Sequence, residues 1–424
     1  MTSRERLIKT LNHETPDRLV VDLGAGGQTG IGAVALHKLN QRLLDDRAPV
    51  VKIEEPYQML GEVDELLREK LHLDIVPVNG PGTLFGFRNE NWKSLTLPDG
   101  TPVKVAEKFV YSEDQDGAWL IYPEGDTSVP PSAKMPLKSY FFDAIDRQKP
   151  FDEETLRVED NCEEFSVLSP DVIDHFRNKA KYFYENSEYG IYMTLPGMGF
   201  GDIAQVPATF LKNPGGIRNI EEWYMSTLIR PEFVMKIFEK QCEVALKNIE
   251  LLADAVGDYV QVVYVSGTDF GMQNGLFISV ESYRDFFKPF HKMVNEKIHR
   301  LTNWKTFIHT CGAIYDLIPD IIDAGFDILN PVQISATGMD PKRLKAEYGP
   351  HITFWGGGID TQSTLPFGTP GEVYNEVIKN VDILAENGGY VFNTVHNIQS
   401  NVPLDNILAM YRAVNHFRGI DSDF

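Results

Sequence analysis

Eight short apolar runs, each ending in a polar loop and most followed by a helix-like pattern, constrain the fold of this chain more than any other feature. They are Arg18–Leu23, Leu73–Val78, Tyr189–Thr194, Tyr259–Val265, Phe307–His309, Phe326–Leu329, Ile352–Trp355 and Tyr390–Phe392. Most are continuous rather than alternating, the pattern of strands buried on both faces in a parallel sheet. Helical patterns follow at about Pro170–Asn186, Pro231–Leu252, Ser279–Leu301, Ile314–Ile322, Pro341–Tyr348, Pro370–Asn387 and Pro403–Phe417. Several of these open on a proline, which suits a first helical turn. Eight such units predict an α/β chain folded as a (β/α)8 TIM barrel. An open doubly wound sheet satisfies the same periodicity, and 424 residues suffice for one elaborated barrel or two ordinary domains.

The alternation is interrupted once. A helical pattern through Val51–Leu71 is followed, from about Phe85 to Pro136, by alternating segments separated by the turns Pro98-Asp99-Gly100 and Asp116-Gly117. We read residues 85–136 as a small antiparallel β subdomain inserted in a single domain spanning residues 1–424. It could cover the barrel mouth or form a subunit contact. The acidic stretch Asp152–Glu164 reads as solvated linker or helix surface, and Thr2 with Glu5 as a capping box opening a short helix.

Charge narrows the partners. Lys and Arg number 40 against 61 Asp and Glu, a net of 40 − 61 = −21. That field repels nucleic acid and anionic membranes, and a polyanionic substrate would need a local basic cluster to enter it. The first twelve residues, MTSRERLIKTLN, hold no long apolar run, so neither a signal peptide nor a membrane anchor is expected. Cys162, Cys242 and Cys311 are too few and scattered for a disulfide framework. A cytoplasmic location follows.

In a barrel, polar residues just after the strands converge on one mouth. Here they are Asp22 and Gln28; Met198; Asp269 and Gln273; His309 and Cys311; Asn330 and Gln333; Asp360 after Gly356-Gly357-Gly358; and Asn393, His396 and Asn397. Residues two apart on a strand face the same way, so His309 and Cys311 would point together. With His396 arriving from another strand they match a three-ligand zinc site with an open fourth position. Each residue also has a plainer explanation. A His-x-Cys pair arises by chance, a cysteine at a strand end is a small buried hydrophobe, and Asp269 could simply accept amides in its Gly-Thr-Asp-Phe-Gly turn. The triple glycine fits a phosphate site or a tight turn equally. The glycine-rich Gly24–Gly30 lacks dinucleotide-binding spacing, and Tyr192, Tyr264 and Trp355 read as wall or core. Only the joint occurrence at successive strand ends favours the metal.

The run from His309-Thr310-Cys311-Gly312 through Asp327–Asn330 and Trp355–Asp360 to Gly388-Gly389-Tyr390 and His396 resembles the uroporphyrinogen decarboxylase superfamily. The resemblance implies a (β/α)8 barrel and covers the chain well from about Asp258 onward. The superfamily includes decarboxylases and zinc-dependent methyltransferases of corrinoid systems. The decarboxylases carry an arginine-rich element after the first strand, whereas Asp22–Ile31 here contains no Arg or Lys. The methyltransferase branch matches at His309 and Cys311 and departs at the third ligand, commonly Cys there and His396 here. The reading is therefore a barrel enzyme holding Zn2+ on His309, Cys311 and His396, with a methyl-corrinoid partner protein or a methoxylated small molecule as donor. Asp269, as proton relay or fourth ligand, and Gln273 would be catalytic. Asp22, Gln28, Met198, Tyr264, Asn330, Gln333, Asp360 and Asn393 would hold substrate. A carboxy-lyase, or a non-catalytic small-molecule or corrinoid binding partner, remains as the alternative, and a homodimer is left open.

Overall fold

The computed structural model describes residues 1–424. Eight parallel strands make one sheet: β1 (Val20–Val21), β2 (Ile75–Val78), β3 (Gly190–Thr194), β4 (Val262–Ser266), β5 (Lys305–His309), β6 (Ile328–Asn330), β7 (Thr353–Trp355) and β8 (Tyr390–Phe392). Each expected apolar run supplies one of them. Pairing runs β1-β8-β7-β6-β5-β4-β3-β2, with β1 and β2 at the two ends. Those ends meet through Asp74. Its N–H donates to the Val21 carbonyl at 2.9 Å, and its Oδ2 accepts from the Val21 N–H at 2.9 Å. A carboxylate thus replaces the missing rung of a ladder too short to close by backbone alone, and the sheet becomes a barrel rather than an open doubly wound sheet.

Alternation along the strands sorts the core into two layers. Tyr192, Phe307, Ile328, Trp355 and Val391 pack in the lumen. The Phe307 ring meets Tyr192 at 5.3 Å and Trp355 at 5.5 Å, edge to face, the arrangement aromatic quadrupoles favour. Alternate residues such as Ile308, Leu329 and Phe354 face the surrounding helices. The helix Ser3–Leu11 closes the lower end. It opens on the expected capping box, in which Thr2 Oγ1 accepts from Glu5 N–H at 3.1 Å and Thr2 N–H donates to Glu5 Oε2 at 2.9 Å. Leu7 and Leu11 join the lumen cluster. Leu7 lies so close to Gly190 that a Cβ there would strike it, so β3 must begin with glycine.

Asp74 also ties the chain ends to the seam. It accepts from Ser3 Oγ at 2.7 Å, Arg6 at 2.8 Å and Arg418 at 3.0 Å. The Asp74 and Arg418 side chains are both fully buried, so each charge depends on the other.

The inserted region differs from expectation. Of Val51–Leu71 only Glu65–Lys70 is helical; Val51–Glu55 and Leu60–Gly61 are strands. Val51 and Ile53 are buried while Lys52 and Glu54 are not, a period of two whose β-branched residues favour a sheet. These strands pair with Pro102–Val105 and Lys93–Thr96 in one four-stranded sheet. A second contains Tyr111–Glu113, Trp119–Ile121, Ala133–Met135 and Asp143–Ala144. The two sheets therefore draw on chain both before and after 85–136. They dock beside the barrel mouth, where Gln58 Nε2 donates to the Gly27 carbonyl at 3.0 Å and Asn397 Nδ2 donates to Gln58 Oε1 at 2.7 Å. Within 152–164, expected to be solvated, Glu164 instead pairs with the buried Arg218 at 3.0 Å. No helix is long and apolar enough to cross a membrane.

Because Asp74 both closes the barrel and neutralises two buried guanidinium groups, Asp74→Ala is expected to cost about 3–5 kcal/mol. Urea unfolding followed by tryptophan fluorescence checks this. A midpoint matching the parent protein would show that the seam does not depend on the carboxylate.

Candidate metal centre

The site is built where β5, β6 and the loop after β8 end together. His309 is the last residue of β5 and pairs in register with Asn330, the last of β6. Asn330 is fully buried, and its Nδ2 donates to the Trp355 carbonyl at 2.8 Å. That bond fixes the amide's orientation and points Oδ1 at His309 Nδ1, 2.6 Å away. An amide oxygen only accepts, so Nδ1 carries the proton and Nε2 presents its lone pair. Nε2 faces Cys311 Sγ at 3.3 Å.

Cys311 is held by its backbone. Its N–H donates to Asp269 Oδ1 at 2.7 Å, and the next N–H, of Gly312, donates to Gln333 Oε1 at 2.7 Å. Gly312 has φ of 93°, and a Cβ there would run into the backbone of Gly271. The glycine of the His-Thr-Cys-Gly run is thus required by the crossing of the loops after β4 and β5. The His396 loop is sutured on two sides: Val395 N–H donates to the Ile359 carbonyl at 3.1 Å and Ile398 N–H to the Gly30 carbonyl at 3.0 Å. The His396 ring lies edge-on to His309 with centroids 5.4 Å apart.

The imidazole, thiol and imidazole atoms all lie within 4.8 Å of one another. Tetrahedral bonds of about 2.0–2.3 Å place ligand atoms roughly 3.3–3.8 Å apart, so small side-chain movements suffice to hold an ion. The electrostatics prepare two of the three ligands differently. Burial, helped by His309, lowers His396 to about 3, leaving the neutral ligand form. Burial and then Asp269 push the Cys311 thiol well above its usual range, a cost that a cation would reverse.

The other expected residues divide into two groups. Tyr264 and Gln28 lie beside the centre, with Asp269 among the charges around Tyr264. Asp22 lies deeper. Its Oδ2 accepts from Trp355 Nε1 at 2.9 Å and its Oδ1 from Ala25 N–H at 3.1 Å, while burial pushes it up to about 6. Asn330 orients a ligand rather than facing open space. Gln333 supports Gly312 and donates to Gln273 Oε1 at 3.0 Å. Gln273 itself is exposed and donates to the Ser335 carbonyl at 2.5 Å, so it ties the β4 loop to the β6 loop. Asp360 caps its own turn through Gln362 N–H at 2.8 Å and Ser363 Oγ at 2.5 Å. Asn393 clamps the β1 loop through the Asp22 carbonyl at 3.0 Å, and Met198 is buried in the wall.

Sequence reasoning missed Asp202 and Tyr224. Burial, with Asp269 adding repulsion, pushes Asp202 up to about 6. Tyr224 is raised to about 12 by burial and by Asp269 and Asp202. An acid among glycines after β3, in Gly199-Phe200-Gly201-Asp202, was the available signal for the first; Tyr224, inside the helix Ile220–Ile229, offered none. No arginine or lysine makes a hydrogen bond or ion pair with Asp22, Asp202, Asp269, His309, Cys311 or His396.

Residues 207–417 match the family model described as Uroporphyrinogen decarboxylase (URO-D). A methyltransferase from Methanosarcina mazei has a similar fold, with a TM-score of 0.54 at 15% identity over 98% of this chain and 99% of that one. An endo-glycoceramidase II from Rhodococcus sp. overlaps less, with a TM-score of 0.34 at 10% identity over 67% of this chain and 75% of that one. No curated protein matches the chain.

Two outcomes follow from the centre's geometry. Asn330→Ala frees the His309 ring and should weaken divalent-metal affinity roughly 10–100-fold, measured by chelator competition; unchanged affinity would contradict the orienting role. Since the raised thiol is protonated at neutral pH while His396 is already neutral, metal entry should release about one proton and affinity should rise with pH. Release of none, recorded in weakly buffered solution, would contradict that protonation state.

Proposed function

Through residues 207–417 this chain belongs to the uroporphyrinogen decarboxylase superfamily, and on that premise we propose that it is a zinc-dependent methyltransferase acting on a small molecule at the barrel mouth. The observation that carries the reading is the convergence of His309, Cys311 and His396 within 4.8 Å, with His309 Nε2 held free by Asn330. Two nitrogens and one sulfur are a borderline-soft donor set that suits zinc and leaves a position for a substrate atom. A zinc ion bound there would supply Lewis acidity, lowering the pKa of a thiol or alcohol acceptor.

The chain's own residues do the rest. Asn330 maintains the His309 tautomer, and Asp269, hydrogen-bonded to Cys311 N–H, stands where it could take the acceptor's proton. Tyr264 and Gln28 wall the adjoining space. The methyl donor in this reading is a methyl-corrinoid partner protein docking over the mouth, or a methoxylated small molecule. The fold shared with a methyltransferase from Methanosarcina mazei accords with this chemistry. Porphyrinogen decarboxylation is disfavoured, because a substrate with many carboxylates would meet acids and no basic partner at the centre. The three free cysteines suit a reducing, cytoplasmic setting.

Protein purified without chelator should contain about one zinc per chain by mass spectrometry, and His309→Ala should contain almost none. Stoichiometric absence from the parent protein would sink the reading. Cys311→Ser should also abolish methyl transfer; ligand binding with no turnover in the parent and full tolerance of that change would make the protein a binding module.

A further inference from the structure

Beside the three metal-ligating atoms lies a group of acceptors and hydroxyls that the structure leaves without counter-charge. Asp202 sits in the turn after β3 with only 7% of its surface exposed. Its Oδ1 accepts from Ala204 N–H at 2.9 Å, while its other oxygen looks across Gly267. A Cβ built on Gly267 would fall 3.1 Å from Asp202 Oδ2 and directly on the Tyr264 hydroxyl, so these two groups share one small space. Asp269, the neighbour whose charge Asp202 feels, lies on the Cys311 side and bonds the Cys311 N–H. The Tyr224 hydroxyl is buried without a hydrogen-bond partner, and the Tyr224 ring stacks on Phe277 at 5.7 Å.

A second set of unpartnered polar atoms lies at the β1 loop. Tyr192 is 0% exposed, yet neither its hydroxyl nor the Gln28 Oε1 atom has a partner. Both face Gly26, where a Cβ would stand 3.1 Å from the hydroxyl and 2.7 Å from the amide oxygen. Unpaired buried polar atoms are costly, and their clustering beside a candidate centre marks a place for a ligand. What they share is capacity to accept. The guanidinium of Arg218, which lines a cavity with Asp202, is spent on Glu164 at 3.0 Å and on the Gly215 and Asp160 carbonyls, both at 2.6 Å. The charge of Asp269 reaches the buried Asp202 carboxyl and raises it, neither has a basic partner, and a cation beside them offsets that repulsion and the desolvation of Asp202.

We propose that this pocket takes the ammonium end of a cationic small molecule, lodged between Asp202 and Asp269 with the Tyr224 and Tyr264 hydroxyls beside it, so that the substrate is an amine-bearing thiol or alcohol. The inference rests on the zinc-acceptor reading above, since the thiol or hydroxyl end is what the centre would activate. It adds that the far end of the substrate is positive, set beside carboxylates that would repel an anionic tail.

Isothermal titration of zinc-loaded protein near neutral pH with cysteamine, mercaptoethanol and mercaptoethanesulfonate tests this, the first two being cationic and neutral at matched size and the third anionic and bulkier. Cysteamine should bind at least about tenfold tighter than mercaptoethanol, with mercaptoethanesulfonate weakest. Asp202→Asn should remove most of the cysteamine preference while mercaptoethanol still binds, which also shows the variant to be folded. Should that variant fail to fold, the three-thiol series on the parent protein and on Tyr224→Phe decides the matter. Equal affinities, or an anionic preference, overturn the cationic pocket and leave the metal centre standing. A cysteamine preference that survives Asp202→Asn overturns the role given to Asp202. Binding of none of the thiols removes the zinc-acceptor reading, and this inference with it.

Discussion

The placement of one proton decides what the centre of this barrel can do. Asn330 spends its amide hydrogen on the Trp355 carbonyl, which leaves only its oxygen for His309. The imidazole must then carry its proton on Nδ1 and aim a bare Nε2 at Cys311. Three adjacent strands take part: β7 fixes the amide, the amide fixes the ring, and the ring stands at the end of β5. A histidine with the other tautomer would turn a donor toward the sulfur, and the three side chains would form a hydrogen-bonded cluster without metal-binding character.

That arrangement depends in turn on a barrel that does not breathe at the strand ends. The lumen below the centre is filled by interlocked aromatic rings, and Leu7 and Leu11 close its floor. The shortest strand, β1, is secured to β2 by a carboxylate that also holds both chain ends. Loops above the strands are stitched to one another: the β8 loop to the β1 loop through Asn393 and Asn397, and the β4 loop to the β5 loop through Asp269 and Gly312. Asn393, a candidate substrate contact, is one of these stitches. They act by fixing where His309, Cys311 and His396 can be.

The strands were legible because burial on both faces writes itself as uninterrupted apolar runs, and two-residue alternation placed His309 and Cys311 together. The glycine after Cys311 was visible as a motif, but its cause, a crossing against Gly271, exists only once two distant loops meet. Val51–Leu71 misled because a short strand, a turn and a short helix in succession can mimic one amphipathic period, and what decides for the strand is its distant partner Pro102–Val105. Gln273 and Asp360 lie at the strand ends where chemistry is usual, the first bonded to the distant β6 loop and the second to its own turn. Asp202 left a trace as an acid among glycines after β3, whereas Tyr224 matters only through Asp202 and Asp269, a relation with no local trace in the chain.

The central claim is that one sulfur and two imidazole nitrogens share a single zinc ion. X-ray absorption at the zinc edge of the purified protein measures this most directly. The account predicts one sulfur at about 2.3 Å and nitrogen or oxygen neighbours at about 2.0–2.1 Å, two of them with the outer-shell scattering of imidazole. A first shell of nitrogen and oxygen alone, with no sulfur, would contradict it.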